Sequence, residues 1–156
     1  MHLHRYEKIW LAIGVSMIVA FFLVLLYGQF VKGFMPAHGF QTIDPTKVDQ
    51  TPPFDQPGVF KKGDNEYEAV LVAMAFGYQP NVIEVPAGST VHFKITTKDV
   101  VHGFEIPETN VNAMVIPGYV SETTYTFKKP GEYLILCNEY CGVGHQMMMA
   151  KVKVTE

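Results

Sequence analysis

The chain has 156 residues, 48% of them hydrophobic, and carries 12 Lys and Arg against 15 Asp and Glu, a formal net charge of −3. That length holds one ordinary domain with an appendage and excludes two full ones. The charge, with no basic patch along the chain, excludes a nucleic-acid-binding surface.

The apolar surplus sits at the front. Residues 9–30, "IWLAIGVSMIVAFFLVLLYGQF", contain no charged side chain. As a helix this run would be about 33 Å long, enough to cross the hydrocarbon layer of a bilayer. A cleaved signal peptide has a shorter apolar region and small residues at its end, whereas this run leaves through Tyr27, Gln29 and Phe30. The sequence therefore predicts a retained transmembrane helix over residues 9–31, with Trp10 and Tyr27 in the two interfacial belts. Arg5 and Lys8 precede the helix, offset by Glu7, and Lys32 follows it. The positive-inside bias places residues 1–8 in the cytoplasm and exports the remainder.

Residues 32–65 are rich in Gly, Pro and Asp and show neither a helical nor an alternating period. They are expected to form a linker, packing irregularly on the following domain or hanging loosely. From residue 66 the texture changes. "EYEAVLVAMAF", "NVIEVPAGSTVHFKIT", "VVHGFEI", "SETTYTFKKPGEYLILC" and "MAKVKVTE" are β-branched and aromatic runs broken by Pro-Gly-type turns. Short strands at this spacing predict a β-sandwich or barrel over residues 66–156. That segment has ten acidic and six basic side chains, which suits either a cationic partner or a plain solvated surface.

Strand parity orients the histidines. In "VHFKIT" Val91, Phe93 and Ile95 share the inner face, which leaves His92 and Lys94 outside. In "VVHGFEI" His102 shares the apolar side with Val100, Phe104 and Ile106, although Gly103 could interrupt the strand. A histidine among core residues needs a partner for its ring nitrogens. At the C-terminus Ala150, Val152 and Val154 face inward.

The chemistry concentrates in "CNEYCGVGHQMMM", residues 137–149, which holds both cysteines of the chain. An exported Cys pair often forms a disulfide. A bridge over so short a loop adds little stability, and it leaves His145, the methionines and His102 unexplained. Two Cys and two His would complete a zinc set, but zinc has no use for thioethers. An iron–sulfur cluster normally takes four thiolates. Copper matches the softness of the donors. One copper ion needs a single cysteine, whereas two thiolates bridging two ions, with one histidine on each, use every ligand. A thioether and a backbone carbonyl would fill the weak positions. Gly142 and Gly144 are expected to supply the φ > 0 turns that bring these groups together.

With those residues in place, "CNEYCGVGHQMM" resembles the binuclear copper (CuA) loop of subunit II of haem–copper oxidases, with its C-x3-C-x3-H-x2-M ligand pattern. "VVHGF" is similar to the short strand that carries that family's upstream histidine. The likeness covers nearly the whole chain, including the helix and "AFGYQPNVIEVPAG", and is greatest to the one-helix subunits of B-type oxidases of thermophilic bacteria and archaea. The resemblance implies a mainly β, cupredoxin-like Greek-key sandwich or barrel behind one N-terminal transmembrane helix. It also implies two copper ions, bridged by Cys137 and Cys141, with His102 on one and His145 on the other. Met148 would be the axial thioether and Glu139 would offer its backbone carbonyl. The Glu139 side chain is not expected to bind magnesium, since B-type relatives can lack the other ligands.

The implied role is electron uptake: electrons pass from cytochrome c or a similar donor to haem in a partner subunit I, which reduces oxygen to water. Haem belongs only to that partner. Membrane lipid and, during assembly, a copper-delivery chaperone are the other implied partners, with the copper domain on the outer face of the cell membrane. The two-helix, mitochondrial-type subunit takes electrons at a tryptophan, but the only tryptophan here is Trp10 in the helix. Phe76 of "AMAFGYQP" is expected to replace it, with Met74 and Tyr78 beside it. Alternatives are another membrane-anchored copper carrier, such as the CuA domain of a nitrous-oxide reductase, a copper-delivery protein, or an adhesion-like domain with a Cys137–Cys141 disulfide.

Overall fold

The structure, a computed structural model, describes residues 4–33 and 41–156. The chain divides into two compact units, Met1–Met35 and Pro36–Glu156. Residues 1–3 of the expected cytoplasmic segment and 34–40 of the expected linker lie outside the described residues.

The first unit is one helix, α1, Arg5–Phe30. It starts four residues before the predicted span. Arg5 and Lys8 are good helix formers, and Glu7 Oε2 accepts a hydrogen bond from the His4 backbone N–H at 2.7 Å, which fixes the first turn. No side chain of α1 is buried within the protein, and among the described residues it is the one helix long and apolar enough to cross a membrane. Its Ser16 hydroxyl donates to the Ala12 carbonyl at 2.7 Å, so this polar group is satisfied within the helix itself.

The second unit is a β-sandwich. Its strands are β1 (Gly58–Lys61), β2 (Glu66–Met74), β3 (Gly77–Gln79), β4 (Val82–Pro86), β5 (Ser89–Thr97), β6 (His102–Glu105), β7 (Asn112–Val115), β8 (Ser121–Phe127), β9 (Gly131–Leu136) and β10 (Met149–Thr155). One sheet runs β1-β2-β5-β8 with β3 paired to β2, and the other runs β4-β10-β9-β6-β7. The β2–β5 and β4–β10 pairs are parallel and the rest are antiparallel. Leu71, Val91, Phe93, Phe104, Phe127, Ile135 and Val152 belong to the single core that both sheets share. The Phe93 and Phe104 rings meet at 5.4 Å, and Phe93 and Phe127 at 6.4 Å. Parity is as expected for Val91, Phe93, Ile95, Ala150, Val152 and Val154, all buried, while His92 reaches Thr124 Oγ1 outside the core.

Strand β2 is buried on both faces. Ala69, Leu71 and Ala73 face the main core, and Val70 and Val72 join a second cluster with Ile43, Val48, Phe54 and Val120. Residues within the stretch read as linker thus form a third layer over the sheet, and they add β1 to its edge, with Val59 opposite Ala69. Asp44 Oδ1 accepts from the Thr46 N–H at 2.9 Å and starts a 3-10 turn, Pro45–Gln50, that presents Val48 inward. An irregular layer of this kind carries no periodic signal.

The expectation for "VVHGFEI" needs correcting at Val100, which is 44% exposed while His102, Phe104 and Ile106 are buried. The strand begins only at His102, so alternation does not extend back to Val100. Gly103 does not break it. A Cβ there would stand 1.8 Å from Asn138 Oδ1 and 2.5 Å from the Asn138 backbone nitrogen, so glycine is required for close approach.

Candidate metal centre

Strands β9 and β10 form an antiparallel pair whose connection is the 137–148 loop, and the Cys137 N–H donates to the Met148 carbonyl at 3.4 Å where the loop opens. Strand β6 lies beside β9, with Glu105 opposite Leu136, which carries His102 and Gly103 to the mouth of the loop. Two sequence-distant segments, β6 and the continuous β9–loop–β10 stretch, therefore converge at one end of the second sheet.

Cys137 and Cys141 are both unbridged and only 8% exposed. Their sulfurs are 3.8 Å apart, well beyond the ~2.05 Å of a disulfide. Cys137 Sγ lies 3.1 Å from the Glu139 carbonyl oxygen and accepts from the Gly103 N–H at 3.4 Å. Cys141 Sγ lies 3.7 Å from His145 Nδ1 and 3.6 Å from Met148 Sδ. Donor atoms of His102, Cys137 and Cys141 all fall within 4.8 Å of one another. Of the methionine run, Met147 and Met149 are 69% and 50% exposed and Met148 only 2%, so only the middle sulfur turns inward.

His102 is fully buried. Its Nε2 stands 2.8 Å from Asp99 Oδ1, and its Nδ1 has no hydrogen-bond partner. Donation from Nε2–H to the carboxylate leaves the Nδ1 lone pair available. Burial raises the Asp99 pKa, but this is outweighed by hydrogen bonds from His102, the Ala75 and Val100 amides and the Thr97 hydroxyl, which hold it at about 2. Burial, followed by the neighbouring Cys137, pushes the Cys141 thiol up to about 11. Tyr78 is likewise raised, by burial first and then by Cys137.

These donors suit a soft, thiophilic metal. The buried His102 Nδ1 without a partner is costly unless something ligates it, and copper accepts imidazole, thiolate and thioether donors alike. Of the residues picked from the sequence, His102, Cys137, the Glu139 carbonyl, Cys141, His145 and Met148 are brought to this one place. Two corrections concern the glycines and the aromatic turn. Gly142 has φ of +127°, as expected, but Gly144 has φ of −99°. Gly144 is needed for room instead: a Cβ there would meet the Phe76 ring at 2.5 Å. Phe76, 39% exposed, thus lies directly over the loop. Tyr78 does not share that surface. It is 5% exposed, its hydroxyl donates to the Gly103 carbonyl, and its ring meets Phe104 edge-on at 5.8 Å. Met74 packs on the second cluster. Sequence reasoning missed Asp99, Gly103 and Asn138 as parts of the site. An aspartate three residues before an inward histidine was the one available signal.

The sequence model described as "Cytochrome C oxidase subunit II, periplasmic domain" matches residues 70–155. A cytochrome c oxidase subunit 2 of Thermus thermophilus is 47% identical over 155 residues, which is 97% of this chain and 92% of that protein. A chain of a heme-copper terminal oxidase dimer solved by cryo-electron microscopy superposes with a TM-score of 0.78 at 34% identity, over 96% of this chain and 99% of that one. The periplasmic domain of subunit II of the Bradyrhizobium japonicum cytochrome oxidase, at 24% identity and a TM-score of 0.53, shares the fold over 62% of this chain and 87% of its own. Sequence and architecture agree, and the chain belongs to the cytochrome c oxidase subunit II family.

Proposed function

We propose that this chain is the electron-uptake subunit of a terminal haem–copper oxidase, holding two copper ions between Cys137 and Cys141. One observation carries the reading. Two unbridged buried thiols stand 3.8 Å apart beside an imidazole whose Nδ1 has no partner. In this reading Cys137, Cys141, His102, His145, the Met148 thioether and the Glu139 carbonyl would hold the copper. Copper held by these thiolates would supply a one-electron carrier.

The protein's own contribution is preorganisation. Asp99 keeps His102 in the tautomer that offers Nδ1, and the Gly103 amide points at the Cys137 sulfur. Burial of Cys137, Cys141 and Met148 excludes water from the donors. Because the Cys141 thiol is raised to about 11, metal binding must expel its proton, so loading weakens as pH falls. Phe76 is where electrons arrive from cytochrome c or a similar donor, since its ring joins solvent to the ligand loop. Haem in a partner subunit I would be the acceptor, and oxygen would be reduced there. Helix α1 anchors the chain in the cell membrane with its N-terminus in the cytoplasm and the β-sandwich outside, and a copper-delivery chaperone fills the site during assembly.

The test is a stopped-flow mixing of the copper-loaded full-length chain in detergent with reduced cytochrome c. The wild type should oxidise it. Phe76→Ala should do so about tenfold more slowly, equivalent to ~1.4 kcal/mol of barrier, with its copper content intact. Absence of oxidation by the wild type contradicts the electron-uptake role, and an unchanged rate in the variant removes Phe76 from it.

A further inference from the structure

Between β5 and β6, Asp99 collects four donors on one carboxylate. Its Oδ1 accepts from His102 Nε2 at 2.8 Å, from the Val100 N–H at 2.7 Å and from the Thr97 hydroxyl at 2.9 Å. Its Oδ2 accepts from the Ala75 N–H at 2.7 Å, across 24 residues of sequence. Ala75 directly precedes Phe76, whose ring is seated on Gly142 and Gly144 of the ligand loop. One side chain therefore grips both a copper-facing imidazole and the turn that presents the exposed aromatic ring.

We infer that Asp99 is a positioning residue with two separable tasks: Oδ1 fixes the ring and tautomer of His102, and Oδ2 clamps the Ala75–Phe76 turn over the loop. The inference rests on the copper reading above and adds a coupling between the ligand and the uptake surface. A charged acceptor shared by four donors is stronger and more rigid than separate neutral bonds would be. The seat under Phe76 is tight, and it depends on the turn staying where Ala75 is held.

Two substitutions separate the tasks. Asp99→Ala removes both acceptors. Asp99→Asn keeps one oxygen, and the three donors on the Oδ1 side draw that oxygen toward His102, so the Ala75 amide then faces an NH2 group and loses its bond. The full-length chain, its copper affinity measured against a competing chelator, should bind copper about 10–100-fold more weakly as Asp99→Ala, with an altered paramagnetic resonance spectrum. Asp99→Asn leaves a neutral acceptor for His102, so it should bind copper more tightly than Asp99→Ala though more weakly than the wild type, and once saturated with copper it should be reduced by cytochrome c about tenfold more slowly. Adding Phe76→Ala to Asp99→Asn should cost less than Phe76→Ala costs alone, because the ring has already lost its fixed seat.

The His102 task is overturned if Asp99→Ala binds copper like the wild type with an unaltered spectrum, even where the melting temperature of the copper-free chain falls. The clamp is overturned if Asp99→Asn is reduced at the wild-type rate. A wild-type chain that takes up no copper defeats the copper reading itself, an outcome distinct from either.

Discussion

Cys137 Sγ has the Gly103 amide, the Glu139 carbonyl and the Cys141 sulfur within 3.8 Å, and Cys141 Sγ has His145 and Met148 almost as near. The two sulfurs are thus unequal: Cys137 has two backbone groups beside it, whereas Cys141 has the His145 and Met148 side chains. Under the proposed function both would be needed to hold two ions. Cys137→Ser or Cys141→Ser should fall from two bound copper ions to one or none, with the unpaired electron localised on a single nucleus, because a hydroxyl is a poor substitute for a soft thiolate. Either variant retaining two ions and a delocalised signal would contradict the bridging role. Of the five side chains gathered here, Cys137, Cys141, His145 and Met148 stood out by their spacing and His102 by its parity. Asp99 and Asn138 were not, because a hydrogen-bonding partner is defined by where the chain brings it in space and leaves no periodic trace in the sequence.

At the scale of elements, strand β2 holds the first sheet together. Glu68 on β2 lies opposite Phe60 of β1 and His92 of β5, and its carboxylate contacts Lys62 at 2.8 Å and Lys94 at 3.1 Å. The hydrogen bond from Lys62, reinforced by Lys94 and opposed by burial, lowers the Glu68 pKa. A lowered folded-state pKa adds stability above the unfolded value, and that stability is lost as pH falls through the folded-state pKa. Glu68→Gln should therefore destabilise the protein by up to about 1 kcal/mol at neutral pH. The difference should shrink as pH falls below about 4, because the wild-type carboxylate is then protonated as well. Urea unfolding of both proteins at several pH values measures it, and a gap independent of pH would show that the charge is irrelevant.

Most strands from residue 66 onward were readable because alternation and Pro-Gly turns marked them, but the short β3 and β7 lay outside the runs read as strands. Strand β1 and the 3-10 turn were not readable either. Ile43, Val48 and Phe54 are spaced irregularly, and only the outward Val70 and Val72 of a doubly buried β2 hinted that something covers them. Gly144 was placed correctly in the loop, but for the wrong reason. Its value is the missing Cβ beneath Phe76, which no one-dimensional pattern reveals.

At the scale of the whole molecule, the described residues comprise one long apolar helix, with no side chain buried inside the protein, and a β-sandwich whose candidate metal donors gather at one end. Helix, sandwich and the cysteine-bearing loop were each visible in the sequence, because a charge-free run, strand texture and a tight Cys–His–Met spacing are all local signals. The claim on which the function rests is that two copper ions share one electron between Cys137 and Cys141. Electron paramagnetic resonance of the full-length chain, refolded with cupric salt under mild reductant and assayed for bound copper, tests it directly. The account predicts two copper ions per chain and hyperfine splitting from two equivalent nuclei. Splitting from one nucleus, or a chain that binds no copper, would contradict it.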